Sequence, residues 1–188
     1  MSYSRFQMGF WHPFGPHGRE SLEGILERKR REIADNGWTL WSFQRRRMLE
    51  NWLSEIRRAS PDAVYVFCSE GIGASDPPSE PAPCTHYRLI GDGGWRPLPK
   101  TISVPHPFRP GSNEASAFVV QRVVHPVDSF EPPTIEWFSR NGGPWRRERL
   151  PTRGEYLIKA SSGERMRRCR AVLILQDPYL AVVSKGEV

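Results

Sequence analysis

The chain has 188 residues and carries 27 Lys and Arg against 21 Asp and Glu, a formal charge of +6. That length fits one domain spanning residues 1–188, and the 38% of hydrophobic residues is enough for a real core. Gly and Pro together make 34 residues, which excludes an all-helical bundle because both interrupt helices.

Phe10 and Trp11 precede the rigid stretch His12-Pro13-Phe14-Gly15-Pro16-His17-Gly18, so a short first strand enters a loop. Ser21 is a good helix N-cap. Leu22, Ile25, Leu26 and Ile33 then fall at helical spacing, with the stem of Lys29 between them, and Asn36-Gly37 supplies a left-handed stop. Trp38–Phe43 is aromatic and β-prone. A second helix over Arg47–Arg58 has the stripe Leu49, Trp52, Leu53 and Ile56, and Ser60-Pro61 ends it. Ala63–Cys68 is apolar on both faces, as a buried strand requires.

Residues 70–83 form a long Pro- and Gly-rich loop. Short strands follow at His86–Ile90, Thr101–Val104, Ser116–Val124, Thr134–Phe138, Glu155–Lys159, Ala171–Leu175 and Tyr179–Val183. Gly91-Asp92-Gly93-Gly94 reads as a hairpin turn. It has neither the helix nor the Lys-Ser/Thr of a phosphate loop. Two helices followed by many strands predict an α+β domain with a curled or barrel-like mixed sheet.

No apolar run reaches the roughly 20 residues of a membrane helix, and Met1–Gly9 has no apolar signal core. The three cysteines are too few and scattered for a disulfide framework, so a reducing cytoplasm is expected. Cys68 reads as a packed core thiol, whereas the arginines around Cys169 would lower its pKa. His12, His17, His86, His106 and His125 lack zinc-site spacing, and no hydrolase or nuclease motif is complete. Neither a metal, a cofactor nor a catalytic residue is assigned.

The 27 basic residues divide into 23 Arg and 4 Lys. Arg suits phosphate and base contact, but a GC-rich genome also favours it, so only clustered Arg is informative. The chain holds seven tryptophans. Trp52 belongs to a helical core stripe, and Trp95 and Trp145 sit in turns that they can pack. Trp38 and Trp41 lie at opposite parity in one strand and face opposite sides. Trp41-Ser42-Phe43-Gln44 runs directly into Arg45-Arg46-Arg47, an aromatic face beside arginines of the kind that holds an unstacked base near phosphate.

Phe10-Trp11-His12-Pro13, Gly37-Trp38-Thr39-Leu40-Trp41-Ser42, Val64-Tyr65-Val66-Phe67 and Ala117-Phe118-Val119-Val120 together resemble the PUA-like superfamily, in the style of its EVE, ASCH and YTH branches. The resemblance is one of element order. It implies an aromatic pocket for a modified nucleobase, walled by Trp11 with Trp38 or Trp41, with Ser42 or Ser69 as a polar contact. The leading expectation is therefore a nucleic-acid-binding module for a modified, flipped or single-stranded base, with Arg45, Arg46 and Arg47 on phosphates. Two rivals remain: a protein-interaction domain, with a second copy of the chain as one candidate partner, and a hydrolase or nuclease using His12, His17 or His106.

Overall fold

The computed structural model describes residues 8–14, 20–44, 47–70, 80–124, 135–138, 145–146, 155–160 and 169–186. Chain order is β1 (Met8–Phe14), α1 (Leu22–Asn36), β2 (Thr39–Phe43), α2 (Leu49–Ala59), β3 (Val64–Glu70), β4 (Ala82–Pro83), β5 (His86–Leu89), β6 (Arg96–Pro97), β7 (Pro105–His106), β8 (Glu114–Val124), β9 (Ile135–Phe138), β10 (Trp145–Arg146), β11 (Tyr156–Ala160) and β12 (Cys169–Ser184). The molecule is an α+β domain built on one ten-stranded mixed sheet, with β4 and β7 forming a small separate pair.

Both helices stop for local reasons. The Ser21 hydroxyl accepts the Gly24 N–H at 3.1 Å, and Gly37, at φ 78°, donates its N–H to the Ile33 carbonyl. Ser60 closes α2 in the same left-handed conformation, with Leu49, Trp52, Leu53 and Ile56 buried as expected.

The sheet curls without closing into a barrel. Along the order β2-β8-β12-β3-β1, four strand pairings separate β2 from β1. Yet the Trp41 indole N–H of β2 donates to His12 Nε2 of β1 at 3.2 Å. Phe10, Phe43, Trp52 and Phe118 fill the space between, with Phe43 stacked on Phe118 at 4.3 Å. α2 seats its apolar stripe in this main core. Gly9 lets β1 lie close on β3, since a Cβ there would stand 2.6 Å from the Tyr65 carbonyl oxygen.

Two expectations change. Ala171–Leu175 and Tyr179–Val183 are parts of one bent strand, β12, because β8 runs beside both halves. The register shifts between Leu175 and Leu180, and Tyr179 adopts a left-handed φ of 66° there. The first half of β12 pairs with β3 and the second with β5, so the bend splits the sheet into two wings. Thr101–Val104 is not a strand. Ser103 gives its N–H to Glu32 Oε1, and its carbonyl accepts from Lys29 and Arg28, so α1 side chains occupy the groups a ladder would need. Ile102 and Val104 are still buried, in the second core cluster. No helix among the described residues is long and apolar enough to cross a membrane.

Candidate functional site

Strand parity disperses the expected tryptophan pocket. Trp41 points into the main core with 5% of its surface exposed, beside His12 and Phe43. Trp38 is half-buried on the opposite face, tilted against Tyr87. Trp11, 1% exposed, lies in a third cluster with Phe67, Trp137 and Tyr156. Ser69 is buried on β3, opposite Pro13 in register. Arg45 and Arg46 lie outside the described residues, and Arg47 is exposed at the approach to α2. The three tryptophans thus belong to three separate clusters.

The Trp41 and Ser42 region does have a small cleft, lined also by Arg28, Lys29, Val104 and Pro105. Its volume of about 30 Å³ has room for a water or two, not a base. Every polar group described around it has a protein partner. Lys29 Nζ donates to Glu32 Oε2 at 2.8 Å and to the Ser103 carbonyl at 2.7 Å. Arg28 forks onto both Glu20 oxygens at 2.8 and 2.9 Å. Thr39 donates to Glu32 as well. Burial pushes the Lys29 ammonium down to about 8, against the opposing pull of Glu32.

Beyond the cleft, β2 is an edge strand whose outer side is stitched shut. Ser42 Oγ lies 3.2 Å from His106 Nδ1 and donates to the Pro105 carbonyl, while Gln44 Nε2 donates to the Pro107 carbonyl. His106 contacts Ser42, whereas His12 contacts Trp41, the neighbouring residue facing the other way. The two histidines therefore serve different faces of β2, and His17 and His125 lie outside the described residues. His12 accepts the Trp41 N–H at Nε2, which assigns its proton to Nδ1, 3.4 Å from Glu155 Oε1. No group of three His, Cys, Asp or Glu among the described residues is disposed to hold a metal.

The cysteines are all buried and free. The Cys169 thiol is not activated by its arginine-rich sequence. Burial raises it to about 12, as it does Cys84, and raises Cys68 too.

A different surface is open. A groove of about 250 Å³ runs between α2 and the β5–β6 hairpin, lined by Glu50, Leu53, Ser54, Arg57, Ile90 and Gly91. Leu53 and Ile90 are buried and form an apolar floor. Glu50, Ser54 and Arg57 are exposed on α2 at positions i, i+4 and i+7, one face of the helix. Neither Glu50 nor Arg57 has an ion-pair partner among the described residues. Gly91 at φ 89° brings backbone against the Arg57 guanidinium: a Cβ there would lie 3.6 Å from Nη2.

Partly buried aromatics sit on the hairpin and beside α2. On the hairpin side, Arg88 lies 5.5 Å over the Trp95 ring. On the other side of α2, Trp145 donates its indole N–H to Glu55, which also binds Arg58, and Lys159 sits 4.5 Å over the Trp145 ring. Tyr179 packs partly buried against the same core. Burial raises its phenol, Asp177 adds to the rise, and Arg57 opposes it. Sequence reading passed over this set because Glu50, Ser54 and Arg57 look like an ordinary solvated helix face. The only signal was their shared spacing, and the hairpin that completes the groove lies far along the chain.

No family model, curated protein or solved structure matches the chain.

Proposed function

We propose that the protein is a nucleic-acid-binding module that holds an unstacked, single-stranded or flipped base, and that its contact surface is the α2 face. The observation that carries this reading is the 250 Å³ groove with an apolar floor and, on its rim, an arginine that has no ion-pair partner among the described residues. A base needs an apolar surface in place of its stacked neighbour, and its phosphate needs a cation not already neutralised. Arg57 meets the second need, whereas Arg28 and Lys29 at the Trp41 cleft are engaged by Glu20 and Glu32. Trp95 beside Arg88 and Trp145 beside Lys159 are further aromatic–cation pairs at the surface, of the kind on which a base stacks for about 1–3 kcal/mol. Arg47 leads into the same helix. The strand–helix–strand–helix–strand order and the curled sheet also support the PUA-like reading.

Fluorescence anisotropy with labelled single-stranded oligonucleotides tests the proposal. Binding should weaken steeply as salt rises, because phosphate contacts release counterions. Arg57→Ala should flatten the log–log salt slope by about one contact. Absence of binding at low salt, or binding indifferent to salt, would sink the reading.

A further inference from the structure

We infer that His12 and Trp41 form an acid-sensitive latch between β1 and β2: when His12 takes up a second proton, Trp41 is released. The inference is independent of the nucleic-acid reading above.

The latch joins two strands that the sheet itself keeps apart. Four pairings separate β2 from β1, and the Trp41 indole N–H reaches across the curl to His12 Nε2 at 3.2 Å. Both side chains are buried. Because Nε2 accepts, the single ring proton sits on Nδ1, 3.4 Å from Glu155 Oε1. Only the neutral imidazole fits this pair of neighbours. In the doubly protonated ring both nitrogens are donors. The second proton has to enter at Nε2, whose lone pair already accepts from Trp41. Two N–H donors would then face each other, and the indole gives way.

The surroundings admit the charge and leave the Trp41 contact as the weak point. A carboxylate such as Glu155 beside Nδ1 stabilises an imidazolium. β2 and β8 turn the rings of Trp41, Phe43 and Phe118 towards His12. β3 places Cys68 opposite it in register, and burial raises that thiol, so it stays neutral in acid. Among the described residues, Glu155 is the charged group paired with the ring. Histidine ordinarily changes charge between about pH 5 and about pH 8, so the latch answers to mild acid. Trp41 also lines the cleft of about 30 Å³ beside α1, so release of the indole enlarges that cleft.

Hydrogen exchange of the tryptophan indole protons, followed by NMR on the full chain, tests the latch. After correction for the intrinsic pH dependence of exchange, protection of the Trp41 indole proton should fall about tenfold from about pH 8 to about pH 5, roughly the worth of one hydrogen bond. Trp52 is the internal control: its buried indole N–H has no hydrogen-bond partner among the described residues, so its protection should not follow the same curve. His12→Gln keeps an acceptor for the Trp41 N–H and has no site for the proton, so Trp41 protection should become constant over this range. In the wild type, the His12 ring ¹⁵N shifts should change over the same interval as the Trp41 signal, a comparison that needs no variant to fold. Trp41 protection that stays flat, a loss that persists in His12→Gln, or a His12 titration without a Trp41 response overturns the inference.

Discussion

The two helices line two clefts, and the clefts treat charge in opposite ways. α1 turns Arg28, Lys29 and Glu32 inward, where they bind Glu20, Thr39 and the Ser103 backbone and leave a space of about 30 Å³. α2 keeps Glu50 and Arg57 outward, without an ion-pair partner among the described residues, on the rim of a groove of about 250 Å³. The α1 network is a fastening. It fixes the segment around Ser103 to the helix and to β2 in place of a strand ladder. The α2 face is a surface with charge left over for something else. A charged side chain beside a cleft thus indicates a ligand only when no neighbour already answers it.

The largest expected effect breaks the α1 side. Lys29→Ala leaves Glu32 buried without its ammonium, and urea unfolding should record a loss of about 3–5 kcal/mol. Oligonucleotide affinity of the folded fraction should not change. Trp41→Ala should cost a similar about 3–5 kcal/mol, because it empties a core position against Phe43 and Phe118 and removes the donor to His12. If that variant kept its stability and lost oligonucleotide binding, Trp41 would be a ligand residue and the comparison would reverse.

Stability against pH sharpens the contrast further. Lys29 titrates near 8 in the fold against its ordinary 10.5, so between these values the unfolded chain holds the extra proton and stability rises with pH. Cys84 and Cys169 titrate near 12 against an ordinary 9.0, and Cys68 is raised as well, so above pH 9 the unfolded chain sheds protons first and stability falls. Under reducing conditions the Lys29 gain and the thiol loss, about 1 kcal/mol each, should nearly cancel from pH 8 to 9, and the unfolding free energy should decline above pH 9. A fall of about 1 kcal/mol already between pH 8 and 9 would contradict the buried Lys29. The smallest stability effect is expected on the α2 side, where Arg57→Ala should shift the unfolding free energy by no more than about 0.5 kcal/mol. Its consequence should appear in oligonucleotide affinity.

How far the sequence carried this picture varied with the range of the forces involved. α1 was readable from Ser21 to Gly37 because its caps and apolar spacing are all local. The stripe of α2 and the apolar run of β3 were readable for the same reason. Residues 101–104 look like a strand in sequence because Ile102 and Val104 alternate correctly, but the Ser103 backbone is claimed by a helix some seventy residues earlier in the chain. β12 was divided in two because Gln176-Asp177-Pro178 reads as a turn, and only its long partner β8 carries the strand through. For the site, parity already placed Trp38 and Trp41 on opposite faces. The assignment of Trp11 to a third cluster needed the sheet.

The sequence by itself determined which segments become helices and which face of each is buried, because caps and periodicity act within a few residues. It also set the class, an α+β domain with a curled sheet. Only the tertiary structure decided which charges are neutralised and which remain available. Pairing energies depend on burial and on distances of a few ångströms between groups far apart in the chain. Arg28 and Arg57 look alike as letters, and one is a fastening because Glu20 and Ser103 reach it while the other lines a groove with no ion-pair partner among the described residues.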